Sequence, residues 1–240
     1  MKHDLRELDA VLFDLDGVLT PTAEVHQVAW AETFDAWLGR HRPGERAFTV
    51  ADYEDHVDGK PRYEGVDAFL RSRDVELVWG EPSDLPGDGT VCAVGNDKDA
   101  RFRQILAERG VDPYPDAVDL LDRLADKVDV AVVSSSANAR DVLSASGLLE
   151  RFEVVVDGVV ARREGLPGKP APDTFLHAAR LLAADPSRTA VLEDAISGVQ
   201  AGRSGGFAPV VGVDRTGSAE ALAGAGAHVV VGTLTDPKLQ

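Results

Sequence analysis

Two aspartates, Asp14 and Asp16, stand at the exit of the apolar run Ala10-Val11-Leu12-Phe13, with a single leucine between them. Carboxylates where a buried strand meets solvent are costly unless a cation lies between them, and hard divalent ions favour carboxylate oxygen. Gly17 follows at once, where the backbone needs freedom to turn. Taken alone, the segment is balanced between a metal site and an acidic turn. Three further polar groups follow apolar stretches or precede a helix: Ser134-Ser135-Ser136, Lys169 within Gly168-Lys169-Pro170-Ala171-Pro172-Asp173, and Glu193-Asp194. Together they tip that balance. Acids for Mg²⁺, a lysine for compensating charge, a hydroxyl and helix-terminal N–H groups suit a transferring phosphoryl group. In such chemistry Asp14 attacks phosphorus to give an aspartyl-phosphate. Asp16 protonates the leaving oxygen and later deprotonates the acceptor. The candidate metal set is Asp14, Asp16, Glu193 and Asp194, with Glu193 either a direct ligand or a group behind one. Ser134 is a phosphate donor that could also cap the next helix. Ser135, Ser136 and Asn138 are phosphate-side or loop hydrogen bonders. No GxxxxGK[ST] or GxGxxG pattern supports a P-loop or dinucleotide site.

The elements that must hold these groups follow from periodicity. Residues 10–13, 128–133, 152–156, 189–192, 209–213 and 228–231 read as buried strands. They alternate with helical stretches at 116–125, 139–149, 172–183, 196–203 and 219–225. This rhythm predicts βαβ units and a doubly wound parallel α/β sheet of Rossmann-like kind. Ligands of such sheets bind beyond the carboxyl ends of the strands, so the polar groups converge on one edge. Between the first strand and residue 112 no alternating strand occurs, and helices are expected near 23–40, 50–57, 62–73 and 97–109. The predicted organisation is therefore a core of 1–20 and 112–240 interrupted by a mostly helical cap of 21–111. Val25, Ala29, Trp30, Phe34 and Trp37 mark the cap's apolar face, and residues 80–89 read as an exposed loop.

The 240 residues carry 25 Lys and Arg against 41 Asp and Glu, a formal charge of −16. Such a surface repels nucleic acid and anionic membranes, so neither is an expected partner. An anionic substrate then needs a local cluster of cations. One cysteine, Cys92, forbids an internal disulfide and points to a reducing compartment. With no secretory apolar region or membrane-spanning run, the expectation is a soluble cytoplasmic protein, monomeric or a weak homodimer.

The order of these motifs resembles the haloacid dehalogenase superfamily in its phosphotransferase branch. Asp14-Leu15-Asp16-Gly17-Val18 is similar to the first motif of that family, Ser134 to the second, Lys169 to the third and Glu193-Asp194 to the fourth. Dehalogenases of the superfamily lack the second aspartate, so Asp16 points to phosphate chemistry. Thr20-Pro21-Thr22-Ala23-Glu24-Val25-His26 resembles the hinge of the β-phosphoglucomutase-like subfamily, and Asp58-Gly59-Lys60-Pro61-Arg62 resembles its cap loop. The resemblance implies Mg²⁺, a phosphorylated sugar or other small phosphate ester, and a distal phosphate met by Arg62. It gives His26 a place as hinge hydrogen bonder or catalytic auxiliary. It also implies interconversion of β-glucose 1-phosphate and glucose 6-phosphate. The alternatives are a sugar phosphatase and, from another class, a non-catalytic sugar-phosphate binder. Pro21, Ala137 and Asp58 depart from the subfamily's usual aspartate, basic residue and lysine, which weakens the mutase reading more than the phosphoryl chemistry. Lys98 is the candidate to compensate from the cap.

Overall fold

The computed structural model describes residues 3–57 and 60–240, apart from the side chain of Glu54; Asp58 and Gly59 of the expected cap loop lie outside the described residues. The chain divides into two compact units, Met1–Thr22 with Val111–Gln240, and Ala23–Gly110.

The first unit is built on six parallel strands. They are β1 (Ala10–Phe13), β2 (Asp129–Val133), β3 (Val154–Val156), β4 (Thr189–Glu193), β5 (Val210–Val213) and β6 (Val229–Val231). Their order across the sheet is β3-β2-β1-β4-β5-β6. β1 is central and all four of its residues are buried, which is why it reads as an unbroken apolar run. Helices α5 (Pro115–Leu124), α6 (Ala139–Ala145), α7 (Gly158–Glu164), α8 (Asp173–Leu181), α9 (Ile196–Ser204) and α10 (Ala219–Gly224) connect the strands. Leu12, Val133, Phe175, Val191, Phe207 and Val210 join in one buried cluster. The α/β class is as the alternation implies. Register then does the functional work: Phe13 pairs with Val132 and with Leu192, so β1 ends one residue before β2 and β4 and the three strands finish side by side.

The second unit contains α1 (whose helix starts at Thr22 and ends at His41), α2 (Val50–His56), α3 (Arg62–Ser72) and α4 (Val91–Arg109). Its core is aromatic. Phe34 lies 4.0 Å from Phe69 and 5.1 Å from both Trp30 and Phe48, ring centre to ring centre. Each such fully buried ring contributes roughly 1.5–3 kcal/mol over an exposed one. Thr49 caps α2 through a reciprocal bond with Asp52. Asp52 in turn pairs with Arg73 at 3.0 Å and Arg46 at 2.7 Å, all but Arg46 deeply buried.

Three expectations fail locally. α4 starts at Val91, not 97, because Thr90 Oγ1 accepts from the Ala93 N–H and the apolar Val91-Cys92-Ala93-Val94 turn is buried. α6 stops at Ala145, where Gly147 turns the chain at φ +70. α7 was not expected at all; Asp157 caps it by accepting from Val159 and Val160. No described helix is long and apolar enough to cross a membrane.

Candidate active site

Asp14 follows β1 and donates its backbone N–H to Leu192 O, so it remains in the sheet's register when the strand ends. Its carboxylate meets that of Glu193, the last residue of β4, and that of Asp194. One oxygen from each lies within 4.8 Å of the others. Lys169 lies among them, its side chain 6% exposed. Its ammonium donates to Asp14 Oδ1 at 2.5 Å, to the Val133 carbonyl at 2.9 Å and to Glu193 Oε1. Burial disfavours that ammonium, but Asp14 and Glu193 outweigh it and push the lysine above its ordinary range.

In two of the acids burial prevails instead. Burial raises both Glu193 and Asp194 far above the usual carboxylate range. Neighbouring carboxylates add to this, and Lys169 opposes it only in part. Were all three carboxylates ionised, one ammonium would leave two negative charges without compensation, which is why these acids hold protons so readily in the absence of a cation. An all-oxygen donor set carrying surplus negative charge fits a hard divalent cation. Glu193 is also fixed by the Ala195 N–H at 3.1 Å.

Asp16 stands apart from this trio among the described residues. Its side chain accepts from Thr22 Oγ1, and its backbone bridges Thr20. The turn between them is closed by Gly17 N–H to Thr20 O at 2.8 Å. Gly17 has φ +79, and a Cβ there would collide with the Asp194 carboxylate, so turn and acid cluster are packed on each other.

Ser134 is 3% exposed and leaves β2 beside Asp14. It does not cap α6. Its hydroxyl accepts from the Ser136 N–H at 3.1 Å, and Ser136 Oγ accepts from the Asn138 N–H at the same distance. Ser135 is exposed and Asn138 buried. The sheet edge thus gathers Asp14, Ser134, Lys169, Glu193 and Asp194, with Asp16 one turn further on.

The helical unit brings together a separate group. Lys98, 4% exposed, donates to His26 Nδ1 at 2.6 Å. Its ammonium lies 5.0 Å from the Trp30 ring and 4.9 Å from Phe102, on which His26 stacks. Burial first, then Lys98 and Arg62, push His26 well below the ordinary histidine range. Arg62 is half-buried and donates to Asp99 Oδ1 at 2.6 Å. It also reaches Asn96 Oδ1, which accepts from Tyr63 OH at 3.0 Å. Sequence reading did not find Thr22, Asp99, Asn96 or Tyr63. Asp99 adjoins Lys98 in the chain, and nothing in the sequence pairs it with Arg62.

The chain is similar to known proteins along nearly its whole length. The family model described as haloacid dehalogenase-like hydrolase matches residues 8–206. β-Phosphoglucomutases of Mycobacterium bovis and Mycobacterium tuberculosis are each 47% identical over 236 residues, covering 95% of this chain and 90% of theirs. Among solved structures, CbbY from Rhodobacter sphaeroides in complex with xylulose-(1,5)bisphosphate superposes with a TM-score of 0.73 at 26% identity. It covers 95% of this chain and 96% of its own.

Proposed function

We propose, on the premise that this chain belongs to the haloacid dehalogenase-like hydrolase family, that it is a Mg²⁺-dependent β-phosphoglucomutase working through an aspartyl-phosphate. It is an enzyme of phosphoryl transfer or phosphate-ester hydrolysis, similar to β-phosphoglucomutases along nearly its whole length. The observation that carries the finer reading is Lys169 between Asp14 and Glu193, with Asp194 completing an acid cluster that one lysine leaves under-neutralised.

Asp14, Glu193 and Asp194 would hold the metal, which when bound neutralises charge around the transferring phosphoryl group. The mutase passes through a glucose bisphosphate: a carboxylate oxygen of Asp14 forms a bond to one of its phosphorus atoms while that ester P–O bond breaks. The departing oxygen keeps the bonding pair and takes the proton of Asp16. Asp16, now a carboxylate, removes a proton from the sugar hydroxyl that next attacks the aspartyl-phosphate. Lys169 holds the Asp14 oxygen and its ammonium offsets charge on the phosphoryl oxygens. Ser134 Oγ–H is a donor for the same oxygens. Arg62 is assigned the sugar's distal phosphate, and His26 and Lys98 form a neutral-ring and cation pair near Arg62 in the helical unit.

A second reading, a sugar phosphatase, draws on one observation: Arg62 is already paired with Asp99. A sugar held less firmly by its far end leaves room for water to attack the aspartyl-phosphate instead. Phosphorus NMR on the protein with β-glucose 1-phosphate and Mg²⁺ separates the two. The expected result is growth of the glucose 6-phosphate resonance; free phosphate without glucose 6-phosphate overturns the mutase in favour of the hydrolase.

A further inference from the structure

One half-buried arginine of the α/β unit has no part in the chemistry above. Arg215 follows β5 in a turn whose shape is set by Asp214, which accepts from the backbone N–H groups of Thr216 at 3.2 Å, Gly217 at 2.6 Å and Ser218 at 2.8 Å. From that base its guanidinium makes a two-pronged bond to Asp116, Nη1 to Oδ2 at 2.8 Å and Nη2 to Oδ1 at 3.0 Å. It lies 4.1 Å from the centre of the Tyr114 ring. Its Nη2 also donates to the Val18 carbonyl at 3.4 Å. Arg215 and Asp116 are 15% and 14% exposed at the side chain, so the pair is shielded from solvent. Asp116 is held in turn by Thr233 Oγ1 and the Leu234 N–H, both at 2.7 Å.

The grip falls on a particular turn. Val18 and Leu19 lie directly after Asp16-Gly17, and Tyr114 N–H donates to the Leu19 carbonyl at 2.9 Å. Two consecutive carbonyls of the Asp16 turn are therefore held from outside it, one by Arg215 and one by the segment Arg215 clamps. On the inner side the same turn is held by Thr22 and by its own closing bonds at Leu15, Gly17 and Thr20. A guanidinium is suited to this task because its planar fork takes both Asp116 oxygens while a remaining N–H reaches the carbonyl; an ammonium has no such fork.

The geometry points to Arg215 as a positioning residue for proton transfer by Asp16: it fixes the backbone of the Asp16–Leu19 turn and so the distance of the acid from the breaking ester bond. The inference rests on the reading of Asp16 as general acid. Its consequence is selective. A sugar oxygen leaves well only if it receives the Asp16 proton as the P–O bond breaks, whereas 4-nitrophenolate leaves with the bonding pair and needs no proton. Loosening the turn must slow the first ester and spare the second.

The test is a single-turnover measurement with enzyme in excess and Mg²⁺ present, following leaving-group release from β-glucose 1-phosphate and from 4-nitrophenyl phosphate. First-turnover release reports only formation of the aspartyl-phosphate, so the later role of Asp16 as base does not enter. Asp16→Asn is expected to slow the sugar ester about 10²-fold or more and the aryl ester within about threefold, the size of a lost general acid. Arg215→Met is expected to lower the ratio of the two rates by about tenfold, a partial loss of the same contribution. Arg215→Lys should recover only part of the ratio, and it is read in place of Arg215→Met if that variant does not fold. A ratio is unaffected by the fraction of folded protein. Parallel slowing of both esters, or no change, in the Arg215 variants overturns the positioning role while an Asp16→Asn split leaves the general acid standing. No split in Asp16→Asn overturns the general acid, and the inference with it.

Discussion

Each unit of the molecule buries an ionic cluster, and the two are balanced in opposite ways. In the helical unit Asp52 meets Arg73 and Arg46, with Glu45 beside Arg73: two acids against two guanidiniums. Burial pushes Asp52 up, yet Arg46, Thr49 and Arg73 outweigh it and hold the carboxyl below its usual range. In the α/β unit three acids share one lysine, and Glu193 and Asp194 are driven upward instead. A closed set of charges serves packing, because nothing further is needed to satisfy it. An open set is held in a strained electrostatic state by the sheet around it, and stays able to take a cation and a reacting group. The difference separates a structural ion cluster from a reactive one better than burial does, since both are buried.

The contrast can be attacked from its strongest side first. Asp14→Asn should reduce single-turnover sugar-phosphate cleavage by at least ~10³-fold, because an amide cannot form the acyl phosphate; a variant cleaving at the wild-type rate would remove Asp14 from the chemistry. Asp52→Ala leaves Arg73 buried with only the part-exposed Glu45 as its acid. It should cost about 3–5 kcal/mol, lowering the melting temperature by roughly 6–20 °C in a thermal scan. A change below 2 °C would make the helical cluster ornamental. Mg²⁺ at a hundred times its dissociation constant should stabilise the protein by about 2.7 kcal/mol, or roughly 5–10 °C. That shift should vanish in Asp194→Asn and persist in Asp52→Asn.

Acid should distinguish the clusters too. The folded Asp52 carboxyl lies below its unfolded value, so the stability it contributes is present above about pH 4 and is lost as pH falls toward its depressed folded value. Asp52→Asn, which cannot titrate, should flatten that acid limb in urea unfolding measured from pH 5 to 2; an unchanged limb would exclude Asp52 as its source. The smallest effect is expected at the half-buried pair Arg62–Asp99. Asp99→Asn should lower KM for the phosphorylated sugar by roughly twofold to fivefold with kcat little changed, the size of a part-exposed ion pair. A raised KM would mean that Asp99 orients Arg62 rather than competing for it.

Much of the α/β unit could be read from the sequence because buried parallel strands are short apolar runs between turn residues. β1 matches its run residue for residue, and the other strands differ by one or two residues at their ends. Helix ends were less legible. The start of α4 lies in Val91-Cys92-Ala93-Val94-Gly95, whose periodicity is indistinct and whose only signal is Thr90 as cap. α7 likewise depended on Asp157 as cap. Asp14, Ser134 and the Glu193-Asp194 pair stood out because polar groups at successive strand ends are chemically costly there, and Lys169 stood out as the cation in the loop before a helix. The pairings of Arg62 with Asp99, Asp52 with Arg73 and Arg215 with Asp116 did not. Each depends on which side chains tertiary packing turns toward one another across many residues, and no local pattern records that.

The position of β1 in the sheet also bears on how the chain is made. Ala10 leaves the ribosome well before its pairing partners, Asp129 on one side and Thr189 on the other. The sheet therefore cannot close around its centre until Thr189 has been synthesised, and non-local parallel pairing of this sort is intrinsically slow. Residues Ala23–Gly110, by contrast, have their own aromatic core and close their contacts within one continuous segment. During synthesis the helical unit is complete while β1 still waits as an unpaired apolar strand. An insertion that first reads as an accessory to the site is then also the part of the polypeptide that can order itself first, holding the exposed N-terminal strand on a short leash until its neighbours arrive.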